Sequence, residues 1–277
     1  MSKVVLITGC SSGIGAETAG YLAARGHTVY ATARRVANLE PLVAKGCRAL
    51  ALDVTDEASM RAAVASVEAE HGAVGALVNN AGYSQSGALE TVALDDIRRQ
   101  FETNVFGLIR MCQLVLPGMR RAGTGRIVNI GSMGGRLTFP GGGVYHATKY
   151  SLEALSDALR FEVQGFGVHV VLVEPGLIVT DFAKTAVASV ADGDGPYAKF
   201  NQVVAKRTEG AYQGPLVKLG GGPDAVAKVI GRAIESRRPR PRYRVTASAK
   251  LGIAQRRMTP DRMWDLAMRA QFPVPKP

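Results

Sequence analysis

The sequence predicts an α/β protein: a doubly wound parallel sheet of about seven strands with helices on both faces, in one domain over residues 1–277. Three observations carry this expectation. Short apolar or β-branched runs alternate with amphipathic helical stretches, a pattern that calls for right-handed crossovers and a parallel sheet. The first apolar run passes through a glycine-rich turn directly into a helix. Hydrophobic residues make up 47% of the chain, enough to bury both faces of such a sheet.

In chain order, strands are expected at 4–7, 28–33, 48–52, 76–79, 127–130 and 168–173. Helices are expected at 16–25, 36–44 and 56–71, with longer ones at 94–122 and 144–165 flanking the fifth strand. A further edge strand is expected within the cluster Arg237, Arg238, Arg240, Arg242 and Arg244. Residues 176–222 are rich in Gly, Ala and Val and only weakly periodic, and they read as a substrate loop or lid. Phe182, Val187, Val190, Tyr197, Phe200 and Tyr212 are its candidate cleft-lining residues, and Gly193, Gly195, Gly210 and Gly214 its flexible points. Residues 228–277 form a basic C-terminal extension.

Chemistry concentrates at two places. Thr8-Gly9-Cys10-Ser11-Ser12-Gly13-Ile14-Gly15 joins the first strand to the first helix. Strand, tight turn and helix N-terminus together point backbone N–H groups and a helix dipole at a pyrophosphate. Farther on, Tyr145 and Lys149 are four residues apart, so on a helix they share a face. A phenol titrates near 10 by itself, and a cation one turn away favours its ionised form. Ser132, just past the run Ile127 to Ile130, is placed to hold a carbonyl oxygen beside that phenol. Alone, Tyr-x-x-x-Lys is an ordinary helical pair; the glycine turn gives it weight.

The spacing Gly9-x-x-x-Gly13-x-Gly15, with Tyr145-x-x-x-Lys149, Asn79-Asn80-Ala81-Gly82 and Asn104, resembles the short-chain dehydrogenase/reductase family in its compact, Rossmann-type branch, over about residues 3–182. The resemblance implies Asn104, Ser132, Tyr145 and Lys149 as the catalytic set, with Asn104 linking Lys149 to solvent as a proton relay. It implies a nicotinamide dinucleotide on Gly9, Ser11, Ser12, Gly13, Ile14 and Gly15. Asp53 would accept from the adenine amino group with Val54 beside the ring, and Asn80, Ala81 and Gly82 would meet the adenosine ribose. Tyr145 and Lys149 would reach the nicotinamide ribose. Pro175 and Gly176 would close over the nicotinamide, with Ile178 and Thr180 at its carboxamide.

After Ala33, where an acid for a ribose diol would stand, the chain has Arg34 and Arg35. A guanidinium forks onto a 2′-phosphate, so NADP(H) is expected over NAD(H). The stretches 145–155 and 29–35 are similar to the branch holding 17β-hydroxysteroid, retinol and acyl-dihydroxyacetone-phosphate reductases, which implies an apolar ketone, aldehyde or secondary alcohol as substrate. The alternative is a catalytically silent NADP(H)-binding sensor or scaffold of the same fold; an epimerase or dehydratase stands third. A sensor could dispense with the catalytic set, and all four residues are present.

No apolar run reaches eighteen residues, so no spanning helix is expected. The N-terminus enters a strand at once, so no signal peptide is expected. Cys10, Cys47 and Cys112 are odd in number and lack metal spacing, which suits a reducing cytoplasm and predicts no metal. The net charge of +11 is uneven: from Lys228 to Lys276 there are thirteen lysines and arginines against three acids. No nucleic-acid module is visible, and no nucleic-acid partner is expected. A solvated basic face is one reading of the extension; a weak peripheral contact with an anionic membrane is the other. The oligomeric state is left open, a homo-oligomer included.

Overall fold

The strands are β1 (Val4–Ile7), β2 (Thr28–Ala33), β3 (Arg48–Ala51), β4 (Ala76–Asn79), β5 (Gly125–Ile130), β6 (Val168–Pro175) and β7 (Arg242–Val245). In the computed structural model, which describes residues 3–190, 194–213 and 215–275, they form one sheet in the order β3-β2-β1-β4-β5-β6-β7. Every neighbouring pair is parallel. Alternate side chains feed two separate cores. Val5, Ile7, Val29, Ala31, Val78, Val128, Val171 and Val173 point to one face. Leu6, Tyr30, Leu77, Ile127, Val170 and Leu172 point to the other. A strand buried on both faces is apolar at most positions, which is why these strands read largely as hydrophobic runs.

Helices α1 (Gly13–Ala23), α2 (Glu40–Val43) and α9 (Pro223–Glu235) belong to the first face. Helices α3 (Glu57–His71), α5 (Gly107–Arg121) and α6 (Gly143–Val163) cover the second. The helix expected at 36–44 is a 3-10 turn, Val36–Leu39, followed by the short α2. The long helix expected at 94–122 is two helices, α4 (Leu94–Phe101) and α5, joined by a π-helical turn at Glu102–Phe106. Such turns arise where a side chain is pulled out of the regular ladder, and Asn104 lies at its middle.

Segment 176–222 departs most from expectation. It contains α7 (Phe182–Ala188) and α8 (Ala198–Gln213). Both are tied to the loop after β4. Gln85 Nε2 donates to Ser189 O at 2.8 Å, Ser86 N donates to Ser189 Oγ at 2.9 Å, and Ala88 N donates to Asn201 Oδ1 at 2.9 Å. Weak periodicity concealed these helices because their ends rest on polar bonds to another loop. Gly193 and Gly214, two of the expected flexible points, lie outside the described residues. Two further helices, α10 (Ala247–Met258) and α11 (Asp261–Arg269), complete the chain. Among the described residues no helix is long and apolar enough to cross a membrane.

The basic cluster around β7 is not uniformly solvated. Arg242 Nε donates to Glu153 Oε2 at 3.1 Å, and its guanidinium also pairs with Asp157. Arg244 Nε donates to Glu174 Oε2 at 3.2 Å. Glu174 is fully buried at the end of β6. Burial, and the carboxyl of Glu174 nearby, push Glu153 above the usual carboxylate range. These arginines therefore fasten the edge strand, whereas Arg237, Arg238 and Arg240 face solvent. Replacing Arg242 by Gln leaves Glu174 with Arg244, Glu153 with the longer 3.5 Å contact to Arg136, and Asp157 with Arg160. It should cost about 2–3 kcal/mol, below the full cost of breaking a buried pair, and lower the thermal midpoint by roughly 5–10 °C. A melting curve followed by circular dichroism checks this; an unchanged midpoint contradicts it.

Candidate active site

The strand order reverses between β1 and β4, and in open parallel sheets such a reversal leaves a crevice at the carboxyl ends of the strands. A cleft of about 1710 Å³ opens there, larger than the roughly 300–1,000 Å³ of an ordinary ligand pocket. Two ligands fit that space better than one.

The glycine turn forms one end. Gly9 has φ +72, which favours glycine, and a Cβ there would lie 2.9 Å from Ala81 Cα. A Cβ on Gly15 would run into Gly9 O and come within 2.5 Å of Asn80 Nδ2. Ser12 caps α1 with its backbone extended and its side chain making no cap bond, and the first turn carries no acid. The first-turn N–H groups are thus presented to an anion. Gly9, Ser11, Ser12, Gly13 and Ile14 line the cleft; Gly15 does not, because it is packed beneath the turn.

Asn80 works chiefly behind this turn. Its Nδ2 donates to Thr8 O and Gly9 O, both at 2.9 Å, and the Asn80 and Ala81 N–H groups donate to Thr8 Oγ1 at 3.0 Å. At the end of β2, Arg34 lines the cleft and has no carboxylate partner among the described residues. Arg35 lies outside the cleft, at the start of the 3-10 turn. Asp53 lines it with Val54; its Oδ1 accepts from Thr55 N at 2.9 Å and Thr55 Oγ1 at 2.8 Å, so the other oxygen is left to a ligand. A phosphate cradle, a single free guanidinium and a half-used carboxylate along one wall fit an adenine dinucleotide.

Ser132, Tyr145 and Lys149 line the opposite end. Lys149 Nζ donates to Ile130 O at 2.8 Å and lies 5.8 Å from the centre of the Tyr145 ring. Burial pulls the Lys149 ammonium down to about 8. Burial likewise raises the Tyr145 phenol well above its usual value, against a smaller lowering from the Ser132 hydroxyl. The expected depression of the phenol by Lys149 is therefore not what this arrangement produces. Both groups are stripped of water, and loss of hydration is the largest influence on each. Tyr145 stands as a protonated acid.

Asn104 does not line the cleft. It is buried in the π turn, where its Nδ2 donates to Tyr83 O at 2.9 Å and Thr148 Oγ1 at 3.1 Å and its Oδ1 accepts from Tyr83 N at 3.1 Å. Its side chain forms no hydrogen bond to Lys149; it braces the chain after Gly82 against the residue preceding Lys149. His146, buried next to Tyr145, takes a similar part. Its Nδ1 donates to Gly134 O at 2.9 Å while its Nε2 accepts from Phe139 N at 3.2 Å, and burial holds it neutral by lowering it. It clamps the loop from Ser132 to Gly142, a role its place in the sequence did not announce.

On the far side, Pro175, Gly176, Ile178 and Thr180 line the cleft, and a Cβ on Gly13 would touch Thr180 Cγ2 at 3.4 Å. Ile178 is mostly committed to the core. Leu177 N donates to Ser248 Oγ at 3.0 Å, which fixes the exit from β6. Of the expected lid residues, Phe182 and Tyr212 line the cleft, with Phe182 5.4 Å from Tyr145 between ring centres. Val187, Val190, Tyr197 and Phe200 do not line it: Val190 is buried, Tyr197 Oη donates to Glu90 Oε2 at 2.6 Å, and Phe200 meets Phe272. Phe139, Val203, Val204 and Phe272 line it instead. The weak periodicity of 176–222 gave no signal that singled out the two valines.

A family model described as short chain dehydrogenase matches residues 3–191. A 3-ketodihydrosphingosine reductase of Bacteroides thetaiotaomicron is 43% identical over 180 residues, 65% of this chain and 65% of that one. The match thus spans just under two thirds of that relative's length. The uncharacterized oxidoreductase YbbO of Escherichia coli is 35% identical over 266 residues, covering 96% of this chain and 93% of YbbO. Among solved structures, a short-chain dehydrogenase from Streptomyces avermitilis superposes with a TM-score of 0.79 at 35% identity, covering 98% of this chain and 99% of that one.

The buried ammonium has a measurable signature. Lys149 titrates at about 8 when folded against 10.5 for a free lysine, so between those values the unfolded chain holds a proton the folded chain has released. This group's contribution to stability therefore rises with pH across that window. Lys149→Met removes it. The variant's stability relative to the parent should be greatest at pH 7 and fall by on the order of 2 kcal/mol by pH 10. Urea melts without added nucleotide check this, and parallel pH profiles would exclude a depressed lysine.

Proposed function

The chain belongs to the short-chain dehydrogenase family, and on that premise we propose that it is an NADP(H)-dependent oxidoreductase interconverting an apolar ketone or aldehyde and its alcohol. One observation carries the reading: Ser132, Tyr145 and Lys149 line the same cleft as a glycine turn shaped for a pyrophosphate. Gly9, Ser11, Ser12, Gly13 and Ile14 hold the diphosphate, Arg34 the 2′-phosphate, and Asp53 the adenine. Ala81 and Gly82 bound the adenosine, and Pro175, Gly176, Ile178 and Thr180 bound the nicotinamide end. When bound, the dinucleotide supplies or accepts the hydride.

The protein's own part is proton transfer and orientation. Ser132 Oγ and the Tyr145 hydroxyl bind the carbonyl oxygen and polarise it. The phenol, kept protonated by burial, donates its proton to that oxygen as the carbonyl carbon is reduced. Lys149, fastened to Ile130 O, holds the ribose and stabilises the phenolate left behind. Asn104 and His146 keep the two walls in register. Phe139, Phe182, Val203, Val204 and Tyr212 give the substrate region an apolar lining and exclude water from the reacting atoms. A relative named for reduction of 3-ketodihydrosphingosine supports an aliphatic ketone as substrate. The preference for NADP(H) rests on Arg34, with which no carboxylate pairs among the described residues.

Tyr145→Phe retains the ring and removes the transferable proton. Its kcat should fall by about 10²–10⁴-fold, while NADPH affinity, read by nucleotide fluorescence, changes little; turnover near that of the parent would refute the assignment. Arg34→Ala should weaken NADPH by about 1.5–3 kcal/mol, roughly ten- to a hundredfold in KM, and leave the KM for NADH nearly where it was. Equal use of NADH and NADPH by the unaltered protein would remove the cofactor preference.

A further inference from the structure

Between β7 and α10 the backbone takes a conformation that its side chain disfavours. Thr246 has φ +82 and ψ +158, and among the described residues no other non-glycine has a positive φ. That region of backbone space is essentially confined to glycine, and a β-branched residue is strained in it. Glycine would take the same conformation freely. Threonine at this position is therefore there for its side chain, and the contacts of that side chain say what it does.

The ladder between β6 and β7 ends at the pair Pro175 and Val245. Past it, Gly176 N donates to Val245 O at 3.1 Å, and Leu177 N donates to the Ser248 hydroxyl, Oγ, at 3.0 Å. Ser248 Oγ lies 2.8 Å from Thr246 Oγ1, which accepts from Ala249 N at 3.4 Å. Gly176 is pressed against this group: a Cβ there would lie 2.5 Å from Thr246 Oγ1 and 2.7 Å from Ala249 N. The Thr246 methyl meets a further segment, since a Cβ on Gly221 would lie 3.3 Å from it. Gly221 brackets the same stretch of chain. Its N donates to Leu177 O at 3.0 Å, and its O accepts from Val179 N at 3.1 Å. Residues 176–179 are thus held from two sides, and Thr246 touches both supports.

We propose that Thr246 and Ser248 are positioning residues for the nicotinamide half of the cofactor. This rests on the oxidoreductase reading above, in which Pro175, Gly176, Ile178 and Thr180 bound the nicotinamide end. Neither Thr246 nor Ser248 lines the cleft; both act through the course they impose on 176–179. Without the Ser248 hydroxyl, Leu177 N has to find water or another acceptor, and the chain shifts to reach it. A wall whose backbone is already bonded loses little freedom when a ring settles against it. The strain at Thr246 sets that wall before the cofactor arrives. The adenosine half is assigned to the glycine turn, Arg34 and Asp53, which belong to other elements, so its binding is independent of Thr246 and Ser248.

The two halves are separated by comparing NADPH with 2′-phospho-ADP-ribose, the oxidised cofactor without its nicotinamide, in calorimetric titrations of the full chain. Ser248→Ala should weaken NADPH roughly five- to tenfold, the effect of one hydrogen bond, and leave 2′-phospho-ADP-ribose within about twofold of the parent. Thr246→Gly relieves the strained φ and removes both side-chain contacts. It should melt no lower than the parent, yet lose NADPH affinity by the same roughly five- to tenfold. Thr246→Ser keeps the hydroxyl and should bind NADPH within about twofold of the parent. Loss of affinity for both compounds alike marks a merely structural role and overturns the proposal. So does unchanged NADPH affinity in Ser248→Ala and Thr246→Gly, whether or not they melt lower. A parent that binds 2′-phospho-ADP-ribose as tightly as NADPH also overturns it, since the nicotinamide then gains nothing from this wall, and leaves the nucleotide site standing. A parent that binds neither compound removes both readings.

Discussion

At the centre of the molecule two chain segments approach more closely than side chains allow. Gly9 lies against Ala81, and Gly15 sits beneath Gly9 and Asn80. Thr8 Oγ1 accepts from the N–H groups of both Asn80 and Ala81. This knot locks the exit of β1 to the exit of β4, the two strands between which the sheet reverses direction. The crevice opens there, and its phosphate-facing N–H groups are held by backbone contacts rather than by mobile side chains. A cradle fixed in this way loses little entropy when it binds an anion.

A second set of buried polar bonds places the reacting side chains. Asn79 Nδ2 donates to Asn129 Oδ1 at 3.0 Å, and Asn129 Nδ2 donates to Ser156 Oγ at 3.0 Å, joining β4 and β5 to α6. Asn104 and His146 add the links to Thr148 and to the loop after Ser132. Together they fix the rotation of α6, which determines that Tyr145 and Lys149 face the cleft. The same anchoring keeps both in a dry environment, where each is pushed towards its uncharged form. Buried, displaced titrations of this kind are costly for stability and concentrate where chemistry is done.

The C-terminal charge divides by location. Arg242 and Arg244 are drawn onto buried carboxylates and hold the sheet edge. Arg269, with Lys206 and Arg207 from α8, borders the cleft. One compositional bias thus serves two structural ends, and an average over the segment cannot separate them.

The periodicities of the chain by themselves determined the fold class, the strand positions and the two chemical clusters. Each is local: alternation within four to eight residues, a glycine spacing, and a Tyr–Lys pair one helical turn apart. Tertiary structure decided the rest. The π turn at Asn104, the helices within 176–222 and the displacement of Gly15 and Arg35 from the cleft wall depend on partners far along the chain. So does the titration of Tyr145. The sequence places a cation one turn away, but how much water remains around the phenol depends on the packing of α6, Phe182 and Tyr212. A local pattern records which residues are neighbours; dehydration is a property of everything that surrounds them.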